Sequence, residues 1–450
     1  MGYKKRIGIG ALTCGLRKFE IRLFTAVLLS VVLLLFPFQG CEKPGELQSG
    51  SLRDSAGVRW WKGNLHAHSL WSDGDHYPEM VVEWYEKHGY NFLALTDHNR
   101  LSQGLRWVDT QRRGTGAAAL GEYVRRFGEG WVEQKPVDDR IHVRLKPLSE
   151  FRSLFEQPGR FLLIQSEEIT DKKAHLNAIN LLEAIPPQGG DTTVEVLNNN
   201  IGAVLAQRRE KGQPMIVQIN HPNFRWHLTA EDIARTEEVR FVELYNGIAK
   251  TNFKGDPNHC GVERTWDIVL TKRLAELNLP VVYATATDDA HHYHEFGPNK
   301  ANPGRGWVVV RARRLTAESI IKAMESGDFY ASTGVVLKDV TFDGKKLKVM
   351  VAPEKGCSYT TRFIGTVYGY EPTSRPVLDP NGAEIRATRI YTERLGEILA
   401  EVKGTSASYT IRGNEIYVRA KVTSTKLKQN PSFTGQFESA WVQPVVPAGM

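Results

Sequence analysis

The chain has 450 residues, of which 41% are hydrophobic and 24% charged, and its formal net charge is +7. This composition excludes disorder, collagen and coiled coil as descriptions of the whole chain, and four cysteines are too few for a disulfide scaffold. Six basic residues and one acidic residue in positions 1–40 supply five of the seven net positive charges. The rest of the chain is therefore close to neutral, and its charge does not indicate nucleic-acid binding.

Residues 1–40 are predicted to be an export signal. A basic stretch is followed by an uncharged apolar run at 23–38 and then by Gly40-Cys41, an order that is typical of signal segments. Gly40-Cys41 resembles a bacterial lipoprotein cleavage site, at which the cysteine is acylated. Plain cleavage and an uncleaved membrane anchor are the alternatives. We therefore expect an exported protein, periplasmic or attached to the cell envelope, with residues 41–58 as a linker.

From Trp60 onward, apolar runs alternate with amphipathic stretches, which predicts βα units and a mostly parallel sheet or barrel. The predicted strands are 60–66, 91–97, 160–165, 214–220, 239–244, 280–286 and 306–310. The predicted helices are 78–88, 193–211, 229–236, 262–277 and 316–326. Residues 101–159 form a long insertion, either a functional lid or an ornament. After about Thr333, short alternating runs predict a small antiparallel β domain over residues 336–450, which we expect to be sandwich-like.

Histidine and acidic side chains collect where the predicted strands end. The strand ends carry His66-Ala67-His68 with Asp73 soon after, Asp97-His98, Glu167-Glu168, Asn220-His221 and Asp288-Asp289-Ala290-His291, while His175 opens an apolar run. In a parallel β/α barrel these ends surround one mouth. Imidazole and carboxylate ligands suit Zn, Mn or Fe, and a carboxylate can bridge two ions. The sequence therefore predicts bound divalent metal at this mouth.

Five motifs then carry a family resemblance. In chain order, HAHSLWSDG, LALTDHN, SEEIT, INHPN and DDAH resemble the PHP family of metal-dependent phosphoesterases, named for polymerase and histidinol phosphatase. The resemblance covers roughly residues 60–335. It implies an α/β fold, a distorted (β/α)7 TIM-like barrel over residues 59–335, with two or three bound divalent ions.

The resemblance also implies a set of metal ligands. The first ion would be held by His66, His68, Glu168 and Asp289, the second by Glu168, His175 and His221, and the third by Asp73, His98 and His291. Glu168 and Asp289 are preferred over their neighbours because they match the family's Glu-hydrophobic-Ser/Thr and Asp-x-His patterns. Polar residues expected to support these ligands are Asn64, Asp97, Glu167, Glu243 and Asp288. Five other histidines in candidate mouth loops are interpreted as surface or loop residues: His76, His227, His259, His292 and His294.

The expected activity is hydrolysis of phosphate mono- or diesters, with a small-molecule phosphate ester as substrate. A water that bridges the ions would attack phosphorus, and no side chain is assigned as base or nucleophile. Arg100, Arg225 and Arg305 are candidate substrate-binding residues because guanidinium groups pair with phosphate oxygens. An amidohydrolase-type enzyme is one alternative, although such barrels commonly carry a carboxylated lysine where this chain has Glu168. An exported, non-catalytic binding protein is the other.

Overall fold

A computed structural model describes residues 57–111 and 116–447. The predicted export signal, Cys41 and nearly all of the predicted linker lie outside the described residues. Within the described ranges, no helix has both the length and the apolar character needed to cross a bilayer.

The strands of the described chain outnumber the predicted ones. They are β1 (Arg59–Asn64), β2 (Phe92–Leu95), β3 (Arg106–Asp109), β4 (Gln134–Val137), β5 (Arg140–Leu145), β6 (Leu162–Thr170), β7 (His175–Ile179), β8 (Ile216–Ile219), β9 (Phe241–Asn246), β10 (Tyr283–Thr287), β11 (Trp307–Ala312), β12 (Phe329–Ser332), β13 (Leu337–Phe342), β14 (Lys346–Val351), β15 (Tyr359–Val367), β16 (Ser374–Arg375), β17 (Ile390–Tyr391), β18 (Glu397–Lys403), β19 (Ser406–Thr410), β20 (Glu415–Leu427) and β21 (Phe437–Val445). All seven predicted strands have a counterpart among them: β1, β2, β6, β8, β9, β10 and β11.

Several of the helices begin at residues that favour helix termini. They are α1 (Pro78–Lys87), α2 (Gly116–Phe127), α3 (Leu148–Phe155), α4 (Thr193–Lys211), α5 (Ala230–Arg235), α6 (Val262–Thr271) and α7 (Ala317–Glu325). Proline opens α1, where its missing N–H costs nothing. A capping box of Thr192 and Glu195 begins α4, and Gly212 ends it in the left-handed conformation. All five predicted helices are present; α2 and α3 of the insertion were not predicted.

The main sheet mixes parallel and antiparallel pairs. Its 13 strands run in the order β10-β9-β8-β7-β6-β2-β1-β11-β12-β21-β20-β15-β18. The pairs β1–β2, β2–β6, β8–β9 and β9–β10 are parallel, as expected for βα units. The fold is therefore α/β, with a large sheet that contains parallel strands and with additional antiparallel sheets.

One reversed strand explains where His175 lies. Strand β7 pairs antiparallel with both β6 and β8, so it runs against the parallel strands. The beginning of a reversed strand lies at the same edge of the sheet as the ends of its neighbours. His175 begins β7, and it therefore lies at the same edge as the motifs that follow β1, β2, β8 and β10 and the motif that forms the end of β6.

The insertion at 101–159 has secondary structure of its own. Strands β3, β5 and β4 form a separate antiparallel sheet, and α2 packs through Ala119 and Tyr123 into a cluster with Trp71 and Tyr77. Two hydrogen bonds also hold the insertion to α1: Glu79 of α1 accepts from Tyr123 Oη at 2.7 Å and from Trp131 Nε1 at 3.1 Å.

Glu79 gives the insertion a pH-dependent stability. Burial raises the pKa of this carboxyl to about 7, although hydrogen bonds from Tyr123 and Trp131 favour the charged form. Because the folded pKa lies above the unfolded one, the native state binds this proton more tightly, and stability falls as pH rises from about 4.5 to 7. We expect the stability of Glu79→Gln relative to the parent to rise by about 2.5 kcal/mol between pH 5 and pH 8.

Urea unfolding at both pH values measures this difference. Glu129→Gln, at an exposed position of the same insertion, is the control and should change stability equally at the two pH values. A Glu79→Gln effect that does not vary with pH would contradict the assignment.

The strands after residue 335 are continuous with the main sheet. Strand β21 pairs with β12 on one side and β20 on the other, both antiparallel. The sheet β13-β14-β19 packs against this region through a core that includes Leu347, Phe363 and Tyr409 as well as Val309 and Tyr330 of β11 and β12. The strands are antiparallel, as the alternating runs predicted, while the division at 335/336 stays a prediction.

Candidate metal centre

Glu168 lies at the centre of a cluster of buried side chains. Its two carboxylate oxygens face five imidazole nitrogens: Oε1 lies 3.5 Å from His66 Nε2, 3.2 Å from His175 Nδ1 and 3.3 Å from His221 Nε2, and Oε2 lies 2.7 Å from His98 Nδ1 and 3.5 Å from His68 Nε2. The side chains of Glu168, His66 and His68 are fully buried. The Glu168 carboxylate thus contacts residues from three different strand ends, those of β1, β2 and β8, and from the start of β7.

Two aspartates complete the cluster. Asp289 Oδ1 lies 3.2 Å from Nε2 of both His66 and His68. Asp73 Oδ1 lies 3.2 Å from His291 Nε2 and 3.5 Å from His98 Nε2. The structure therefore brings together all nine residues that were predicted to be metal ligands.

Several polar atoms of the cluster are buried without a hydrogen bond. Among the described residues, His66 Nε2, His68 Nε2 and His175 Nδ1 are inaccessible to solvent and make no hydrogen bond, although each lies 3.2–3.5 Å from a carboxylate oxygen of the cluster. Leaving buried polar atoms unsatisfied is costly, so each requires an explanation. Imidazole nitrogens and carboxylate oxygens that converge within 4.8 Å of one another are the donor set of transition-metal sites. The residues present therefore fit divalent metal ions.

The charges in the cluster depend on one another. Burial opposes charge on His66, but Asp289, Glu168 and Glu243 around it raise its pKa well above the usual value. Burial also opposes charge on Glu168, while the surrounding histidines hold its pKa well below the usual value. For His68, burial and the neighbouring His291 and His98 lower the pKa to about 3. The cluster thus holds ionised carboxylates beside a charged His66 and a neutral His68. Metal binding at His66 would therefore displace a proton from its ring, since the neutral imidazole is the form that binds metal.

Hydrogen bonds behind the cluster fix the ring orientations. Glu243 Oε1 accepts from His66 Nδ1 at 2.9 Å, which leaves His66 Nε2 facing Glu168. Thr170 Oγ1 lies 2.5 Å from His98 Nδ1. Asp97 accepts from the backbone and hydroxyls of Ser69 and Ser72, and so holds the loop that carries Asp73. Such contacts set which nitrogen of a ligand histidine is available.

Asn64 and Asp288 support the backbone around the cluster. Asn64 Oδ1 accepts from the His66 N–H at 2.9 Å, and Asn64 Nδ2 donates to Asp288 Oδ2 at 2.7 Å. Asp288 accepts three further hydrogen bonds from backbone N–H groups of residues 304–306. Asp289, and not Asp288, faces the histidines, and it does so with a left-handed φ of 51°. Such strained backbone is typical of functional sites.

Two asparagines that were assigned no role contact the cluster; Asn220 was noted at a strand end, and Asn246 was not noted. Asn220 Nδ2 donates to Glu168 Oε1 at 2.8 Å, and Asn246 Nδ2 donates to Asp289 Oδ2 at 3.0 Å. Asn220 directly precedes His221 at the end of β8, and Asn246 is the last residue of β9. Their position at strand ends was the available signal.

Two predicted roles are wrong. Glu167 points to the opposite face of β6, where Oε1 accepts from the Ile185 N–H at 2.6 Å, so it does not support the ligands. Arg305 is fully buried, and its guanidinium donates to protein oxygens, among them the carbonyl of Gly247. A substrate phosphate cannot reach it. Arg100 and Arg225 are exposed, and Arg225 lies over the Phe224 ring, 5.1 Å from its centroid.

Comparisons with known proteins give structural neighbours only. No family model and no curated protein matches the chain. A solved structure from Bacteroides vulgatus, described as a two-domain protein containing a predicted PHP-like metal-dependent phosphoesterase, is 15% identical with a TM-score of 0.39. Its match covers 90% of this chain and 100% of its own.

A second solved structure, from Bifidobacterium adolescentis, is described as a candidate metal-dependent phosphoesterase. It is 14% identical with a TM-score of 0.25, and its match covers 53% of this chain and 89% of its own. Both descriptions name the class that the five sequence motifs resemble.

Proposed function

We propose that this protein is a metal-dependent phosphoesterase that hydrolyses phosphate mono- or diesters at a centre of two or three divalent ions. The observation that carries the proposal is Glu168, a fully buried carboxylate faced by five imidazole nitrogens, several of which lack a hydrogen bond. A fold without a ligand here would bury these polar atoms at a large free-energy cost.

The chain offers overlapping sets of ligands. Three groups have donor atoms close enough to share an ion: His66, His68 and Glu168; His98, Glu168 and His175; and His68, Asp73, His98 and His291. Glu168 belongs to two of the groups, as expected where a carboxylate bridges two ions. His68 and His98 also belong to two groups each, and each of these rings would ligate one ion. Bound Zn, Mn or Fe would supply Lewis-acid stabilisation of the phosphoryl oxygens and a water of lowered pKa.

The chain's own residues orient the ligands and the substrate. Glu243 and Thr170 fix the His66 and His98 rings, so these rings need not reorganise when substrate binds. Arg225 is the first candidate to bind a phosphate oxygen. Support for this role is that the residue is exposed and that Phe224, on whose ring the guanidinium lies, contacts the His221 ring at 5.2 Å between centroids. Arg100, exposed after His98 and Asn99, is the second candidate.

A distorted (β/α)7 barrel over residues 59–335 is part of the proposal. Backbone hydrogen bonds join the segment after β1 to the segment after β10: Asp289 N–H donates to His66 O at 3.0 Å, and His68 N–H donates to Ala290 O at 2.9 Å. These contacts support closure of the parallel strands at the edge where the cluster lies. Export, with attachment through Cys41 as one form, and the domain division at 335/336 are proposed on the sequence alone.

Metal add-back on the full chain tests the proposed function. The protein is stripped of metal and reloaded with Zn, Mn or Fe. It is then assayed on p-nitrophenyl phosphate as the phosphate monoester, on a phosphate diester, on a carboxylic ester and on an amide. We expect phosphoester cleavage only after reloading, and its loss in His66→Ala but not in His259→Ala, whose ring stacks on Trp226.

Two other results of this assay would favour the alternative functions. Cleavage of the carboxylic ester or amide alone would favour an amidohydrolase-type enzyme. Metal binding without any cleavage would favour an exported binding protein.

A further inference from the structure

A second group of candidate ligands lies outside the centre described above. His76 Nε2 lies 3.3 Å from Glu122 Oε2, and His294 Nδ1 lies 3.6 Å from the same oxygen. The two imidazole rings are 4.3 Å apart between centroids. Donor atoms of all three residues lie within 4.8 Å of one another.

The three residues come from separate parts of the chain. His76 and His294 stand on two loops that the backbone holds side by side, since Asp75 N–H donates to His291 O at 2.9 Å and Tyr293 N–H donates to Asp75 Oδ1 at 2.9 Å. Glu122 stands on α2 of the insertion. An ion bound by all three would therefore join the insertion to the loops beside the main centre.

The burial of the two histidines indicates a ligand. The His76 side chain is 5% exposed and that of His294 is 12% exposed, and His294 Nε2 is buried without a hydrogen bond among the described residues. Burial and the neighbouring His294 lower the pKa of His76 to about 3, so its ring is neutral and able to bind metal. Glu122, at 45% exposure, opens the group to solvent.

We propose that His76, Glu122 and His294 bind one further divalent cation of the zinc class, which fastens α2 to the loops at the mouth. Two imidazoles and one carboxylate are three ligands of a tetrahedral zinc site, with water as the fourth. The site is independent of the proposed phosphoesterase centre, because the two share no residue.

One contact must change when the ion binds. The Tyr77 N–H donates to His76 Nδ1 at 3.1 Å, which places the ring proton on Nε2, towards Glu122. Coordination through Nε2 moves that proton to Nδ1 and breaks the Tyr77 contact. A neutral hydrogen bond contributes far less free energy than the binding of a structural zinc ion supplies.

Zinc content and hydrogen exchange of the full chain test the site. We compare the parent with Glu122→Gln, Glu122→His and the control Glu129→Gln. Glutamine keeps an oxygen acceptor for His76 but is a poor zinc ligand, whereas histidine restores a ligand. We expect Glu122→Gln to hold one zinc ion fewer per chain and Glu122→His to recover it. Zinc should slow the exchange of α2 amides in the parent, in Glu122→His and in Glu129→Gln.

A second readout separates this site from the main centre. His66→Ala is expected to abolish phosphoester cleavage and to keep the zinc-dependent protection of α2. Equal zinc content in the parent and Glu122→Gln, or α2 exchange that zinc does not alter, would overturn the proposal. The contacts among His76, Glu122 and His294 would then form without an ion.

Discussion

Replacing Glu168 with glutamine is expected to lower kcat/KM for phosphoesters at least about 1000-fold, which corresponds to about 4 kcal/mol of transition-state stabilisation. Glutamine has nearly the same shape but carries no negative charge. The five imidazole nitrogens that face Glu168 would then lose the carboxylate that connects them. We expect the variant to bind fewer metal ions per chain while it keeps its fold.

The neighbouring residue provides a matched control. Glu167 is also fully buried on β6, but its side chain points to the other face of the strand and accepts from the Ile185 N–H. Glu167→Gln keeps that acceptor, so we expect kcat/KM within about twofold of the parent, as for substitutions remote from a site. Steady-state kinetics and metal analysis of the two variants measure the difference. Equal losses in both, or full activity in Glu168→Gln, would place the reaction elsewhere.

The second large effect concerns the buried ion pair between Asp267 of α6 and Arg419 of β20. Arg419 Nε and Nη2 each donate to an Asp267 oxygen at 2.7 Å, and Tyr417 Oη donates to Oδ1 at 2.8 Å. The two side chains are 6% and 2% exposed. We expect Asp267→Ala to lower the free energy of unfolding by about 3–5 kcal/mol, because the buried guanidinium loses both hydrogen-bonded carboxylate oxygens and keeps only Glu263, whose Oε1 lies 3.8 Å from Nη1.

Two further variants separate pairing from packing. Removing both charges, as Asp267→Leu with Arg419→Met, should recover most of the loss, since apolar residues can replace a buried pair. Glu401→Ala removes the exposed partner of Arg362 and should cost less than about 1 kcal/mol. Urea unfolding gives all of these values. A loss below about 1 kcal/mol in Asp267→Ala would mean that water reaches Arg419 after the substitution.

Strand ends explain why much of the site could be predicted. The residue that follows a parallel strand lies at one edge of the sheet. Because HAH, DH and DDAH each follow a predicted strand, the sequence predicted that these residues lie at the same edge. The choice of Glu168 over Glu167 depended on a motif, and the pleat of β6 agrees with it, since adjacent side chains point to opposite faces.

Features that depend on tertiary contacts could not be predicted. The run that forms β7 is too short to reveal its direction, and the turn before it lacks the Gly or Asn that signals a hairpin. Arg305 was expected to face substrate because it lies beside a strand. It is buried by the loop at 291–305 and by Asn430, whose Oδ1 lies 3.1 Å from Nη2. Contacts between residues so far apart in the chain leave no pattern in the sequence around either residue.

The position of β21 affects the order in which the chain folds. This strand fills the gap between β12 and β20, and Ser332 of β12 contacts Ser439 of β21 across 107 residues of chain. During synthesis, β12 emerges long before its neighbour, so its outer edge stays open until the distant segment arrives. Folding of strands with such non-local partners is slow. We therefore expect the sheet to complete only after translation of residue 445, and nascent chains stopped before β21 to be sensitive to protease.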